Sequence, residues 1–252
     1  MTEAATFYNQ MAAHYHLIFQ DWEASMHGQG RVIAALLPPP ERTGSILDCA
    51  CGIGTQSLAL AKLGFKVDAS DLSSAQAARA QREAADRDLP VRAWVDDMRT
   101  LQKAPAGHYG AVLCMDNALP HLDSDADVET ALRAMGTRLR PGGCLVLSLR
   151  DYGPLIGKRP KAMPPSIFTD AEGRRIVFQV WDWLDERRYT VHLYISLQIG
   201  HRWQDHHFIG HYRAMLIEEV FALAASAGFT NVRVLLPADT GFYQPIITAV
   251  WP

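Results

Sequence analysis

The chain contains 252 residues, of which 48% are hydrophobic and 20% charged, and its formal net charge is −3 at neutral pH. These values fit one well-packed globular domain, or a domain with a small additional subdomain. The sequence has no lysine- and arginine-rich block that would indicate nucleic-acid binding, and no apolar run or signal-peptide pattern that would indicate a membrane or secretory destination. We therefore expect a cytoplasmic protein without nucleic-acid or membrane partners.

The first 150 residues alternate predicted helices with predicted strands. Helices are expected at 3–15 and 21–37, and three prolines at 38–40 end the second one. Further helices are expected at 55–63, 73–87 and 125–139. Strands are expected at 45–49, 66–70, 91–95, 109–115 and 144–150. Because strands separated by helices form parallel crossovers, the pattern predicts a doubly wound α/β sheet.

The pattern changes after residue 150. Segments at 174–183, 189–199 and 203–212 alternate apolar and polar side chains, which predicts an antiparallel meander. A helix at 216–227 and strands at 231–236 and 245–251 follow, and we expect these strands to return to the main sheet. The predicted fold class is α/β: a doubly wound, mostly parallel, seven-stranded Rossmann-like sheet with an antiparallel β cap inserted after the fifth strand.

A glycine-rich turn within residues 45–55 indicates where a ligand binds. A short apolar strand leads into Asp48, and small residues then occupy alternate positions, at Ala50, Gly52 and Gly54. A strand that turns into a helix over glycines lets a ligand approach the backbone closely, because no side chain stands in the way. The sequence therefore places a ligand at the end of the first strand.

The second strand ends about twenty residues further on at Asp71, where a carboxylate can accept both hydroxyls of a ribose. A dinucleotide motif would have a third glycine where Ser57 stands. Asp48 would repel a pyrophosphate but would suit the ammonium group of an amino-acid cofactor. The residues thus favour a nucleoside that carries an amino-acid tail, with a nicotinamide or other nucleotide as the alternative.

The order Asp-x-Ala-x-Gly-x-Gly-Thr resembles motif I of the class I S-adenosylmethionine-dependent methyltransferases. The resemblance implies S-adenosyl-L-methionine as the cofactor, with Asp71 on its ribose and Asp97 and Met98 at its adenine. It also implies that the N-terminal helices lie over the cofactor. The candidate cofactor-binding residues are Tyr15, Trp22, Asp48, Ala50, Gly52, Gly54, Asp71, Leu72, Asp97, Met98 and Met115.

The N-terminal aromatic residues have two interpretations. Tyr8, Tyr15, Phe19 and Trp22 would share one helical face if the helix were continuous. That face could cover the cofactor or pack on the core. We expect three parts in the chain: a helical segment over the cofactor site at 1–40, a methyltransferase core at 41–152 and 214–252, and an antiparallel cap or substrate subdomain at 153–213.

A narrower resemblance concerns the acceptor side. Residues 114–122 resemble the Gly-Asn-Ser-x-x-His-Leu segment of the glycine and sarcosine N-methyltransferases, and residues 150–152 resemble their Arg-Asn-Tyr element. The resemblance implies that Arg150 binds an acceptor carboxylate and that Asn117 positions the acceptor or cofactor. Tyr152 and Tyr243 are the further candidate substrate-binding residues. Asp116 stands where that family has glycine, which indicates an acceptor other than glycine.

The chemistry predicted is methyl transfer by direct in-line displacement to the nitrogen of a small amine or amino acid. A neutral amine needs no strong base, whereas a hydroxyl acceptor does. One alternative is therefore an O-methyltransferase of a small hydroxylated metabolite with His121 as base, and another is a non-catalytic partner subunit that binds the cofactor. The candidate catalytic residues are Asn117, His121 and Arg150. We expect a small-molecule acceptor, and a homo-oligomer is left open.

No metal site is expected. The four cysteines fall in or beside predicted buried strands, where small core residues are the simplest interpretation. Several histidines lie between 201 and 211, but His206 and His207 are adjacent on a predicted strand and should point to opposite faces. His121 follows a strand end near the predicted cofactor, as a pocket-wall residue or a base.

Overall fold

A computed structural model describes residues 2–170 and 173–252. Its helices are α1 Glu3–Met11, α2 Trp22–Ala35, α3 Pro40–Thr43, α4 Thr55–Lys62, α5 Ser74–Ala85, α6 Asp125–Arg138, α7 Gly153–Lys158, α8 Ile217–Ser226 and α9 Pro237–Thr240. Its strands are β1 Ser45–Asp48, β2 Lys66–Asp71, β3 Arg92–Val95, β4 Tyr109–Cys114, β5 Leu139–Ser148, β6 Ala162–Asp170, β7 Gly173–Trp183, β8 Arg188–Ile199, β9 Arg202–Arg213, β10 Thr230–Leu235 and β11 Ile246–Val250. Short 3₁₀ turns lie at Tyr15–Ile18 and Leu119–His121.

The main sheet has the strand order β10-β11-β5-β4-β1-β2-β3. Neighbouring strands from β3 to β5 run parallel, and β11 is antiparallel to both β5 and β10. The predicted seven-stranded, mostly parallel sheet is confirmed. Because its parallel strands point the same way, their carboxyl ends meet at one edge, where ligands bind in folds of this kind.

Two apolar layers cover the sheet. Helices α6 and α8 pack with one face in a cluster that includes Leu132, Met135 and Val220, all fully buried. Helices α2, α4 and α5 cover the other face. Each fully buried aliphatic side chain of this kind contributes about 1.5–3 kcal/mol to stability relative to an exposed one. The core strands are therefore rigid, and the strand ends are held in fixed positions.

The cap is a four-stranded antiparallel sheet in the order β6-β7-β8-β9, one strand more than the sequence predicted. Strand β6 contains Pro164 and Pro165, and the pairing with β7 shifts register between Met163 and Ser166. Proline cannot donate to a ladder, so it is confined to edge strands and irregular positions. The proline pair hid this edge strand from a pattern-based prediction.

The N-terminal segment is two helices separated by a 3₁₀ turn rather than one continuous face. Helix α1 ends at Met11, four residues earlier than predicted, and α2 begins at Trp22. The Asp21 side chain accepts a hydrogen bond from the amide of Ala24 at 2.9 Å and so fixes the start of α2. Tyr8, Tyr15 and Trp22 therefore sit on three separate elements. No helix among the described residues is long and apolar enough to cross a membrane.

Helix α2 packs directly on α4, the helix that follows the glycine turn. A Cβ atom on Gly30 would lie 2.4 Å from the Cβ of Ala59, so only glycine allows this approach. Gly28, on the same helix, has open space around its Cβ position. The two glycines form a matched pair for testing the close contact.

We predict that Gly30→Ala destabilises the protein by about 1–3 kcal/mol through overpacking. Gly28→Ala should instead stabilise it by about 0.5–1 kcal/mol, because alanine in a helix interior loses less conformational entropy on folding. Urea unfolding monitored by circular dichroism measures both. Equal effects of the two substitutions would contradict the proposed α2–α4 contact.

Candidate functional site

A cavity of about 490 Å³ opens at the carboxyl edge of the main sheet. At one end it is lined by residues that follow β1, β2 and β3, namely Cys49, Ala50, Asp71, Leu72, Asp97 and Met98. At the other end it is lined by residues of α1, of the loop after β4 and of the cap, among them Tyr8, Pro120, His121, Tyr189, Tyr212 and Arg213. One space thus joins the predicted cofactor end to the cap.

The Asp71 carboxylate organises the cofactor end of this cavity. One of its oxygens accepts a hydrogen bond from the Gly52 amide at 2.9 Å, and the other accepts one from the Ser73 amide at 2.8 Å. Gly52 and Gly54 have φ of +55° and +96°, a backbone region that favours glycine. The carboxylate therefore ties the glycine turn to the end of β2. Partial burial raises the pKa of Asp71 to about 6.

Asp48 lies beneath the glycine turn and does not line the cavity. Its side chain is completely buried, and one oxygen accepts a hydrogen bond from the Ser57 hydroxyl at 2.6 Å. The other oxygen has no hydrogen-bond partner. Burial raises the pKa of Asp48 to about 7, although Ser57 and the Ala50 amide stabilise its charged form. An unpaired buried carboxylate oxygen of this kind gains from a nearby positive charge.

Asp116 is a third carboxylate at this edge. It accepts hydrogen bonds from the Tyr243 hydroxyl and from the Gln56 amide group, and burial raises its pKa. Among the described residues none of Asp48, Asp71 and Asp116 forms an ion pair with a cationic side chain. The strand ends therefore carry uncompensated negative charge.

That charge fits the implied cofactor. S-adenosyl-L-methionine carries a sulfonium and an ammonium against one carboxylate, so its binding would offset part of the negative charge. Gly52 and Gly54 place no side chain at the turn, which leaves room for a ligand. Their positive φ favours glycine, and a Cβ on Gly54 would lie only 3.1 Å from Leu58. Asp97, the predicted adenine contact, lines the cavity while both of its oxygens accept hydrogen bonds from Arg99. The residues present at this end fit the group.

The predicted covering residues lie around the cavity rather than on its lining. Trp22 donates from its indole nitrogen to the Thr55 hydroxyl at 2.9 Å and is buried beside α4. Met115 is buried in the core layer on that face of the sheet. The Tyr15 ring lies 6.3 Å from that of Tyr8, between the core and the cap.

At the cap end, Tyr8 and His121 form a hydrogen-bonded pair. The Tyr8 oxygen lies 2.8 Å from Nε2 of His121, and Nδ1 of His121 lies 3.0 Å from the backbone oxygen of His211. Because a carbonyl only accepts, Nδ1 carries the proton and Nε2 accepts the Tyr8 hydroxyl proton. Burial lowers the pKa of His121 to about 4. The imidazole is therefore neutral at physiological pH.

Asn117 is held from both ends of its amide. Its oxygen accepts from the Arg150 backbone amide at 2.9 Å, and its nitrogen donates to the Tyr152 hydroxyl at 2.9 Å. Tyr152 is fully buried, and its hydroxyl lies 2.8 Å from that of Tyr189. Asn117 thus connects the end of β5 to Tyr189, which lines the cavity. Its side chain therefore holds neighbouring groups in place on both sides.

Arg150 and Tyr243 line a second cleft of about 470 Å³. The Arg150 guanidinium lies over the Trp181 ring, 4.8 Å from its centre, as in a cation–π contact. Among the described residues Arg150 has no carboxylate partner, and Asp151 instead accepts from the Gly153 amide. The positive charge of Arg150 also acts on the Tyr212 hydroxyl, which lines the cavity that contains Asp71 and His121.

Two tyrosines of the cap end, Tyr189 and Tyr212, were not predicted, and Tyr8 was named only as an aromatic residue that could cover the cofactor or pack on the core. The sequence contains a signal for Tyr189, because Tyr189, Val191, Leu193 and Ile195 alternate on one strand face. That signal does not say which face of the cap covers the site. His206 and His207 do point to opposite faces, towards His14 and His192 respectively. No group of residues within the described ranges could hold a metal ion.

Residues 46–143 match the family model described as a methyltransferase domain, and over these residues the chain is similar to that family. The matched residues run from β1 into β5 and include the glycine turn, Asp71, Asp97 and the loop that contains His121.

Curated relatives and solved structures extend the comparison. The glycine/sarcosine N-methyltransferase of Parasynechococcus marenigrum (strain WH8102) is 35% identical over 136 residues, 54% of this chain and 48% of that protein. The chain thus spans about half the length of the curated relatives that it matches. The structure of CalS10, an amino pentose methyltransferase from Micromonospora echinaspora, superposes with a TM-score of 0.75 at 21% identity and covers 95% of each chain. The sugar N-methyltransferase KedS8 from Streptoalloteichus gives a TM-score of 0.69 at 19% identity over 91% of this chain and 87% of that one.

The uncompensated carboxylates predict a pH-dependent affinity for the donor. Binding of a cation favours the charged forms of Asp48 and Asp71, whose pKa values are about 7 and about 6. Affinity should therefore rise with pH through this window and level off above it. Calorimetric titrations with S-adenosyl-L-methionine between about pH 5.5 and pH 8.5 measure the change.

Asp71→Asn should remove the lower step and weaken binding by about 1.5–3 kcal/mol, the scale for losing a charged hydrogen-bond partner. S-adenosyl-L-homocysteine, which lacks the sulfonium charge, is the matched ligand and should show a shallower pH dependence. Asp86→Ala is the control variant, because Asp86 is exposed and lies directly after the end of α5. An affinity that stays constant with pH, or an Asp71→Asn variant with unchanged affinity, would contradict this assignment.

Proposed function

We propose that the protein is an S-adenosyl-L-methionine-dependent methyltransferase that acts on the nitrogen of a small amine. The observation that carries the proposal is the single cavity that joins Asp71 and Met98 to Tyr8 and His121. A donor at one end and an acceptor at the other would share one enclosed space. Holding two reactants together in this way supplies much of the rate enhancement of a displacement reaction.

The donor end would be formed by the glycine turn and the residues after β2 and β3. Asp71 would accept the ribose hydroxyls, and Leu72 and Met98 would flank the base. Asp48 would stabilise positive charge from beneath the turn, where its second oxygen is buried without a hydrogen-bond partner. When bound, S-adenosyl-L-methionine supplies an electrophilic methyl group on a positively charged sulfur.

The state of His121 favours nitrogen over oxygen as the acceptor atom. A hydroxyl must lose its proton as it attacks, which calls for a competent base. His121 already accepts the Tyr8 proton, and burial lowers its pKa to about 4, so it is a weak base. A neutral amine attacks through its lone pair and can lose its proton to water afterwards.

Tyr8 would orient that lone pair. Its hydroxyl proton is directed to His121, which leaves the oxygen lone pairs to accept an N–H of the amine. Burial raises the pKa of Tyr8 well above its usual value, so the phenol stays neutral. The Tyr212 hydroxyl, 3.5 Å from that of Tyr8, would be a second polar contact for the acceptor.

The finer identity of the acceptor is also a proposal. The half-length match to glycine and sarcosine N-methyltransferases supports an amino acid, whose carboxylate Arg150 would bind from the second cleft. The full-length likeness in fold to an amino pentose methyltransferase makes amino sugars the other acceptor class to test. Incubation of the enzyme with methyl-labelled donor and both panels, read by mass spectrometry, tests the activity and the acceptor class together.

Tyr8→Phe should reduce kcat/KM for the amine about tenfold to hundredfold by removing the acceptor of its N–H, while donor affinity stays unchanged. Tyr194→Phe is the matched control, because Tyr194 stacks on Phe178 on the other face of the cap. Steady-state kinetics and donor titration give both quantities. Equal losses in the two variants would contradict a role for Tyr8 at the acceptor.

Arg150→Gln should raise KM about tenfold or more for acceptors that carry a carboxylate, because a charged hydrogen-bond partner is lost. Amines without a carboxylate provide the internal control and should keep their KM. Donor affinity should not change. A loss that is equal for donor and for both acceptor classes would show instead that Arg150 acts through the stability of the β5 end.

A further inference from the structure

The segment between α1 and α2, residues 12–20, is held by arginines from both neighbouring parts of the protein. We refer to this segment as the strap. Arg79 of α5 donates to the backbone oxygen of Ala12 at 2.6 Å. Arg175 of β7, in the cap, donates to the backbone oxygens of Leu17 at 3.1 Å, Phe19 at 2.8 Å and Gln20 at 2.9 Å. The strap therefore lies between core and cap, fastened to each.

Arg175 uses its whole guanidinium for this contact. Nε and Nη2 donate to the strap, and Nη1 pairs with Asp170. The side chain is only 11% exposed. Its planar fork reaches three carbonyls within four residues at the end of a 3₁₀ turn, which a flexible ammonium group could not reproduce. The carbonyl groups at the end of such a turn have no backbone N–H group to pair with, so Arg175 donates the hydrogen bonds that the strap backbone cannot provide.

The strap carries Tyr15, which lies beside the cavity. Its ring lies 6.3 Å from Tyr8 and 6.1 Å from Phe19. Burial raises the pKa of the Tyr15 hydroxyl, and the nearby carboxylates of Asp116 and Asp71 raise it further. The strap thus holds a tyrosine beside the charged strand ends, at the boundary between the donor end of the cavity and the cap.

We infer that Arg175 is a positioning residue that holds the strap, and with it Tyr15, beside the donor end and thereby sets the rate at which donor and product exchange. Arg175 does not line the cavity, so it would act through the backbone oxygens that place Tyr15. Release of the strap would open a path to the donor end without disturbing Asp71 or the glycine turn. This inference rests on the proposed function, since it assumes that a donor binds beside the strap.

Arg174 provides a matched control. It precedes Arg175 on β7 and points to the opposite face of the cap sheet, where it donates to Gln198 at 2.8 Å and lies over Trp203. Arg174→Gln and Arg175→Gln therefore remove the same charge from the same strand, and only the second removes the strap contact.

The dissociation rate of S-adenosyl-L-homocysteine, measured by stopped-flow tryptophan fluorescence, is the first test. Arg175→Gln should raise this rate at least tenfold, Arg175→Lys should raise it less, and Arg174→Gln should leave it unchanged. The single-turnover rate at saturating donor and acceptor should stay the same in all three, because the reacting groups are untouched. A dissociation rate within twofold of wild type in Arg175→Gln, or an equal increase in Arg174→Gln, would overturn the inference.

Hydrogen exchange of the strap amides is a second test that needs no ligand. The amides of Leu17 and Phe19 donate to His14 and His16 within the turn, so their exchange reports strap opening. Exchange at these amides should be at least tenfold faster in Arg175→Lys than in wild type, which also covers the case in which Arg175→Gln does not fold. Unchanged exchange overturns the inference. If wild type binds neither donor nor product while strap exchange responds to Arg175, the proposed function fails and the strap contact stands.

Discussion

Negative charge held without a cationic partner at the carboxyl edge of the sheet is the constraint on which the site depends. Asp48 and Asp71 keep raised pKa values because burial disfavours their charged forms. A protein gains nothing in stability from such groups by themselves. Their arrangement makes sense when the positive charge is supplied by a ligand, and the glycine turn leaves room for that ligand beside them. A cationic ligand bound beside these carboxylates would relieve the unfavourable electrostatic energy and would bind more tightly for that reason.

The two ends of the cavity are built in different ways. The donor end rests on strand ends that parallel pairing fixes to one edge, so its geometry follows from the core. The cap end depends on contacts made over long sequence distances, such as Tyr8 with His121 and Tyr152 with Tyr189. Asn117 joins the ends, since it links the Arg150 backbone to Tyr152. The positions of the side chains at one end of the cavity therefore depend partly on contacts made at the other end.

Local patterns predicted the core and three of the four cap strands, but not which face of the cap covers the cavity. The alternation of helices and strands predicted the parallel sheet, and the glycine turn and the second strand end indicated Ala50 and Asp71, which line the cavity. Leu72, Asp97 and Met98 followed from the family resemblance and line it as well. Strand β6 was missed because its prolines hide an edge strand. Tyr189 and Tyr212 were missed because alternation shows that a strand has two faces without showing which face meets the core. Arg150 and Tyr243 also followed from the resemblance, and their place in a second cleft depends on packing that no local pattern encodes.

The cap leaves the core after β5 and returns to it before α8, and Tyr152 and Ala214, near the two ends of this insertion, are buried in one cluster. An insertion whose ends are so close can change in length and sequence without altering the register of the strands beneath it. The cap could therefore be exchanged while the strand ends that hold Asp48 and Asp71 keep their positions.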